Sequence, residues 1–131
     1  NQARAQTFES MVSPTLKSRR PFAGIHEQVL IFIDTHLRSG REVSMPLAAE
    51  YFGLQASTLR RRLAREGVKF SQILQGYRRK DAMRLLSHGH SVKEVSQRLG
   101  YSEASSFQHA FKIWFDTSPK RFYRNAFAEK L

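Results

Sequence analysis

The chain has 131 residues, 40% of them hydrophobic and 25% charged, which suits one soluble globular domain with a short appendage and excludes two full-sized domains. Its 22 Lys and Arg against 11 Asp and Glu leave a formal charge of +11, so the expected partner is a polyanion. The absence of cysteine excludes a disulfide framework, a thiolate zinc site and a cysteine nucleophile, and the longest apolar run, Val29 to Ile33, falls far short of the ~18 residues that span a bilayer.

Residues 1–22 are polar and interrupted by Ser13-Pro14 and Arg20-Pro21, so they read as a linker or tether. Because the chain starts at Asn1 rather than Met, a piece of something longer is expected, and without a signal peptide a cytoplasmic location is the default. From Ala23 onward apolar residues recur at helical spacing and nowhere alternate, which predicts an all-α fold. Ile25, Val29, Ile33 and Leu37 stand four apart, with Leu30 and Phe32 widening the stripe, so the first helix is predicted over about 23–38, ended by Gly40.

An internal repeat follows. At a shift of 47 residues Met45 matches Val92, Ala48 matches Val95, Phe52 matches Leu99, Gly53 matches Gly100 and Leu54 matches Tyr101; after one inserted residue Leu59 matches Phe107 and Leu63 matches Phe111. Each copy reads as a short helix ended by a glycine in the left-handed conformation, a tight turn and a second helix, the layout of a helix-turn-helix unit. The units are placed at about 44–67 and 91–115. Phe70 to Ser87 carries Ile73, Leu74, Tyr77, Ala82, Leu85 and Leu86 without proline and predicts a linking helix, about 27 Å long at ~1.5 Å per residue. Ser91 and Glu94 form a capping box, and Ser118-Pro119 opens a last helix at about 118–127.

In the second helix of the first unit, Ala56, Leu59 and Leu63 must face the core, which leaves Ser57, Thr58, Arg61 and Arg65 outward and Arg60 and Arg62 on the flanks. An arginine fork can take guanine O6 and N7 together, a contact worth ~1–3 kcal/mol of base discrimination. The alternative, that Arg60-Arg61-Arg62 is a solvated charge run, fits poorly with its place on the second helix of a repeated motif. In the other unit Ala104, Phe107, Phe111 and Trp114 are assigned to the core, while Ser105, His109 and Lys112 turn outward and discriminate less sharply. Four aromatics between Phe107 and Phe115 could stack on single-stranded bases, but their four-residue spacing favours core packing. Arg78, Arg79, Lys80, Arg84, Lys120, Arg121 and Arg124 are candidates for phosphate contacts. Six such contacts give a log–log salt slope of about −5. A rod of about 27 Å is long enough to hold two reading helices near the ~34 Å repeat of B-DNA, so both can enter successive major grooves.

The stretch from Gly100-Tyr101-Ser102-Glu103-Ala104-Ser105-Ser106-Phe107 through Ala110-Phe111-Lys112-Ile113-Trp114-Phe115 to Ser118-Pro119 resembles the signature of the AraC/XylS family of bacterial transcription regulators. The resemblance extends back through Leu59-Arg60-Arg61-Arg62-Leu63 and Ala48-Glu50-Phe52-Gly53, and departs from the family at Gln55 and Lys69, where a capping Ser is frequent. It implies a DNA-binding domain over about 23–128, of about seven helices in two helix-turn-helix subdomains joined by the linking helix. Carried over by position, base contacts fall on Ser57, Arg60, Arg61, Ala104, Ser105 and His109, and backbone or flanking contacts on Thr58, Arg62, Arg65, Ser106 and Lys112. It further implies promoter or operator DNA and RNA polymerase as partners, a sensing or dimerisation domain upstream of Asn1, and a nucleoid-associated location.

No catalytic residue, metal or cofactor is expected: there is no P-loop, H-E-x-x-H or G-x-S-x-G, and His88-Gly89-His90 reads as a loop carrying two histidines. The rival readings are a non-specific architectural DNA-binding protein, a small nucleic-acid-processing enzyme, and a binder of anionic membrane surfaces. The last is disfavoured because the helices already commit their apolar faces to a shared core.

Overall fold

The computed structural model describes residues 24–122 and 124. They form six helices: α1 (Ile25–Arg38), α2 (Met45–Tyr51), α3 (Ala56–Arg65), α4 (Phe70–Ser87), α5 (Val92–Arg98) and α6 (Ala104–Phe115). A further helical stretch occupies 119–122, and there is no strand among the described residues, so the all-α reading holds. The tether placed at 1–22 and the end of the helix placed at 118–127 lie outside the described residues.

The described residues divide into two compact units, one made of 24–35 with 44–73, the other of 36–43 with 74–122 and 124. In the first, the stripe on α1 buries Ile25, Val29, Phe32 and Ile33, and Ala48, Ala49, Leu59, Leu63 and Ile73 are buried from α2, α3 and α4. Phe32 meets the rings of Tyr51 and Phe52 with centroids 5.1 and 6.0 Å apart. Leu30 does not widen the stripe: it is 39% exposed, because it lies a quarter-turn beyond Val29, outside the arc that α1 buries.

The second unit centres on Ala82, Leu85, Leu86, Val95, Leu99, Phe107 and Phe111, with Tyr77, Val92, Tyr101, Trp114, Phe115 and Phe122 packed partly buried against them. Its aromatics interlock: Phe107 and Phe111 meet edge to face at 5.8 Å, and Phe111 meets Phe115 at 4.7 Å and Phe122 at 5.5 Å. These rings are the core of the unit, as their four-residue spacing predicts.

Helix ends follow local chemistry. Ser44 opens α2, its hydroxyl accepting the Leu47 N–H at 3.2 Å. Gln55 opens α3 with no side-chain cap, yet the helix still starts at Ala56. Lys69 cannot cap either, but half a capping box survives there, since the Gln72 carbonyl oxygen accepts the Lys69 N–H at 2.8 Å. Ser118 accepts the Arg121 N–H at 3.1 Å and starts the last helical stretch, where Pro119 is buried. The C-cap of α6 is Asp116 at φ 57°, the left-handed region where glycine is usual, with its carboxylate at the negative end of the helix.

At α5 the capping box is complete: the Ser91 hydroxyl accepts the Glu94 N–H at 3.1 Å and the Glu94 carboxylate accepts the Ser91 N–H at 2.9 Å. These bonds hold the Glu94 carboxyl below the usual carboxylate range. A lowered folded value means that the Glu94 contribution is complete above the unfolded value of ~4.3 and is lost as pH falls through the folded one. Ser91→Ala removes the N-cap acceptor, a substitution that costs about 1 kcal/mol at a helix N-terminus. Glu94→Gln keeps an acceptor but cannot titrate, so the stability advantage of the wild type over it is constant above pH ~4.3 and shrinks below, as thermal unfolding across the acid range will measure.

Candidate nucleic-acid interface

Each unit contains two helices joined by a turn, α2–α3 in the first and α5–α6 in the second. The turns obey the 47-residue shift bond for bond. In the first, the Gly53 N–H donates to the Glu50 carbonyl at 3.0 Å and the Leu54 N–H to the Ala49 carbonyl at 2.8 Å; in the second, Gly100 donates to Gln97 at 3.1 Å and Tyr101 to Ser96 at 3.0 Å. This pair of bonds is the Schellman closure, and it needs a left-handed residue at its centre. Gly53 and Gly100 supply it at φ +69° and +85°.

The helix after each turn is oriented by two buried residues four apart. In α3 these are Leu59 and Leu63. Opposite them Ser57, Arg61 and Arg65 are exposed in a line, with Thr58 half-buried beside it. Arg60 and Arg62, both exposed, flank the line on opposite sides. Arg60 borders an open groove of about 640 Å³ with Met45, Leu63 and Phe70. Arg62 and Arg65 border a second cleft, of about 470 Å³, with Glu66. Four guanidinium groups within six residues make this surface strongly cationic.

In α6 the orienting pair is Phe107 and Phe111. Ser105, Ser106, His109 and Lys112 are exposed, and Ala104 is half-buried rather than fully buried, as is Trp114. Ala104 is the first residue of α6, directly after the turn. Two features of this face escape a reading by residue type. Glu103 at the N-cap puts a carboxylate beside the predicted readers, and the Ser105 hydroxyl donates to it at 3.3 Å. Ile113, one turn beyond His109 on the same side, is 70% exposed. The second face is thus nearly neutral and partly apolar where the first is cationic.

The remaining cations divide as well. Arg79, Lys80, Lys120, Arg121 and Arg124 are exposed, whereas Arg84 pairs with Asp81 at 2.7 Å. The two loop histidines are held locally, His88 Nδ1 against the Arg84 carbonyl at 2.7 Å and His90 3.8 Å from the Glu94 carboxylate. Among the described residues no group of three or more His, Asp or Glu side chains is arranged to hold a metal ion, and no helix is long and apolar enough to cross a membrane.

Glu66, another residue the sequence pattern does not single out, closes α3 and tethers it. Its two carboxylate oxygens accept the Ile25 and His26 N–H groups, both at 3.0 Å, and so cap the free end of α1. A carboxylate at the C-terminal end of an arginine-rich helix has no obvious local use, which is why sequence spacing does not flag it. Glu66→Ala is expected to lower stability by about 1 kcal/mol in thermal or denaturant unfolding. An unchanged midpoint would show that the cap contributes nothing.

A family model described as a helix-turn-helix domain matches residues 48–125. An uncharacterized HTH-type transcriptional regulator of Mycobacterium tuberculosis is 48% identical over 68 residues, which is 51% of this chain and 20% of that protein. The HTH-type transcriptional regulator VqsM of Pseudomonas aeruginosa is 36% identical over 105 residues, 79% of this chain and 31% of its own length. The chain therefore spans less than a third of either relative. Among solved structures, the transcriptional regulator CdpR of P. aeruginosa superposes with a TM-score of 0.70 at 28% identity, over 95% of this chain and 40% of that one. The C-terminal domain of AraT, a response regulator from Geobacillus stearothermophilus, has the same fold, with a TM-score of 0.70 at 24% identity over 80% of this chain and 88% of that one.

Proposed function

Since the chain belongs to the AraC/XylS family of transcription regulators, as a helix-turn-helix DNA-binding domain, we propose that it binds a specific double-stranded operator or promoter with α3 and α6 in successive major grooves. The observation that carries this reading is the repeat itself: two Schellman-closed turns related by one shift, each followed by a helix with a buried pair on one side and polar, exposed side chains on the other. Ser57, Arg60 and Arg61 are the base readers of the first half-site and Ala104, Ser105 and His109 those of the second. Thr58, Arg62, Arg65, Ser106 and Lys112 serve backbone or flanking positions. The 18 residues of α4, about 27 Å at ~1.5 Å per residue, suit a spacer for grooves one helical turn apart.

In this reading the domain is the DNA-binding part of a larger cytoplasmic regulator, with a sensing or dimerisation domain before it and RNA polymerase as a further partner. The share of its relatives that the chain spans supports the larger protein, and their printed descriptions as transcriptional regulators support a regulatory rather than enzymatic role. Two unlike reading faces favour selective binding over non-specific packaging, since packaging has no use for the difference.

Arg61→Ala is expected to weaken binding to a selected duplex by ~1–3 kcal/mol, roughly 5- to 150-fold, and to weaken random-duplex binding far less. Fluorescence anisotropy on both duplexes decides the matter. Equal losses would make Arg61 a backbone contact.

A further inference from the structure

Arg78, Arg79 and Lys80 are consecutive on α4 and indistinguishable as charges, but the fold separates them. Arg79 and Lys80 are exposed, while Arg78 turns into the second unit and is half-buried. Its Nε donates to the Leu99 carbonyl at 2.8 Å, one terminal nitrogen lies 3.5 Å from the Gly100 carbonyl, and the guanidinium plane covers the Tyr101 ring with its carbon 4.2 Å from the centroid. One side chain thus grips three successive residues of the turn between α5 and α6. Leu99 and Gly100 end α5, where carbonyls lack partners within the helix and must find donors elsewhere. The fit is close: a Cβ at Gly100 would stand 3.4 Å from the Arg78 terminal nitrogen and 3.0 Å from a Leu37 methyl.

Among the described residues, the first unit has no arginine at the matching position. The same 47-residue shift puts Ile31 where Arg78 stands, a residue with no donor to offer, and a Cβ at Gly53 would meet nothing within 4 Å. The second unit adds another tie of its own, since the buried Ser96 hydroxyl donates to the Glu103 carbonyl at 3.3 Å, at a place where the first unit has Ala49. Arg78 and Ser96 thus tie down the turn ahead of the reading helix that has fewer cations. A helix with four arginines can hold DNA through charge while its side chains adjust. A helix that reads through Ala104, Ser105 and His109 depends on short side chains, which cannot compensate for a displaced backbone.

We propose that Arg78 is a positioning residue for DNA readout rather than a phosphate contact: it clamps the turn at 99–101 and so fixes where the N-terminus of α6 meets the second half-site. The inference rests on the DNA-binding function proposed above. Burial, which also draws the guanidinium pKa below its ordinary value, is consistent with a group withdrawn from solvent and from phosphates.

The test compares Arg78→Gln, Arg78→Lys and the exposed neighbour Arg79→Gln with wild type in the 131-residue chain, using a duplex selected by the wild type and a random duplex, from about 50 to 300 mM salt, with footprinting of each half-site. Arg78→Gln is expected to lose affinity for the selected duplex by about tenfold, the scale of one well-made base contact. Protection at one half-site fades while the other persists, and the log–log salt slope is unchanged. Arg78→Lys keeps the charge but not the fork or the stacking, and it shows the same one-sided loss to a smaller degree. It carries the same readout if the Gln variant fails to fold. A slope reduced by about 0.9, with both half-sites still protected, would make Arg78 a phosphate contact and overturn the proposal. Binding and protection equal to wild type would overturn it too. A wild type that prefers no duplex over random sequence defeats the DNA reading itself, whereas a selective wild type with Arg78→Gln behaving like Arg79→Gln defeats this inference alone.

Discussion

A helix can read DNA only with the surface its own core contacts leave over, and in each unit that surface is decided by two side chains one turn apart. Leu59 and Leu63 fix the rotation of α3, and Phe107 and Phe111 fix that of α6. Both pairs are fully buried, so rolling either helix about its axis would pull large apolar side chains into water at about 25 cal/mol per Å². Ser57, Arg61 and Arg65 on one helix, and Ser105, His109 and Lys112 on the other, are exposed because of that arrangement and not by any property of their own. The Schellman-closed turns do the complementary job of fixing the direction in which each helix leaves its predecessor, through hydrogen bonds that repeat with the sequence.

Within this shared frame the two units differ in the surface that each offers to DNA. The first places Arg60, Arg61, Arg62 and Arg65 on an exposed helix whose end is anchored by Glu66 to the start of α1. Positive charge attracts DNA at long range, and a forked guanidinium group is able to discriminate bases at short range. The second surrounds the proposed readers of α6 with Glu103 and the exposed Ile113, and has fewer cations on that surface. A carboxylate next to the phosphate backbone repels, and a face with fewer guanidinium forks both attracts DNA less strongly and distinguishes bases less sharply. The additional ties from Arg78 and Ser96 to the turn suit a helix whose contacts leave little room for adjustment.

Much of this was legible in the chain itself. The apolar period marked the helices, the repeat marked the two units, and Ser91 with Glu94 and Ser118 with Pro119 marked helix starts, because each is a local rule acting within a few residues. Long-range relations were not legible. Leu30 looks as apolar as Val29, and only the breadth of the packed arc leaves it exposed. Arg78 looks like Arg79, and only the fold brings its guanidinium to carbonyls 21 and 22 residues away. Glu66 finds its partners 40 and 41 residues earlier. The missing caps at Gln55 and Lys69 leave both helix starts in place, one because packing of Leu59 and Leu63 suffices, the other because Gln72 supplies the acceptor from within the helix. The exposed serines and arginines of the reading faces follow from helical geometry, but which of them touch bases depends on a partner that no apolar period describes.

In the proposed mode of binding, two unlike helices of one chain read neighbouring turns of the same duplex. Selection of bound sequences from a random double-stranded library addresses it most directly. Two enriched blocks with centres about 10 base pairs apart are expected, one sharply defined and the other looser. A single block, or enrichment that follows base composition with no fixed spacing, would contradict it.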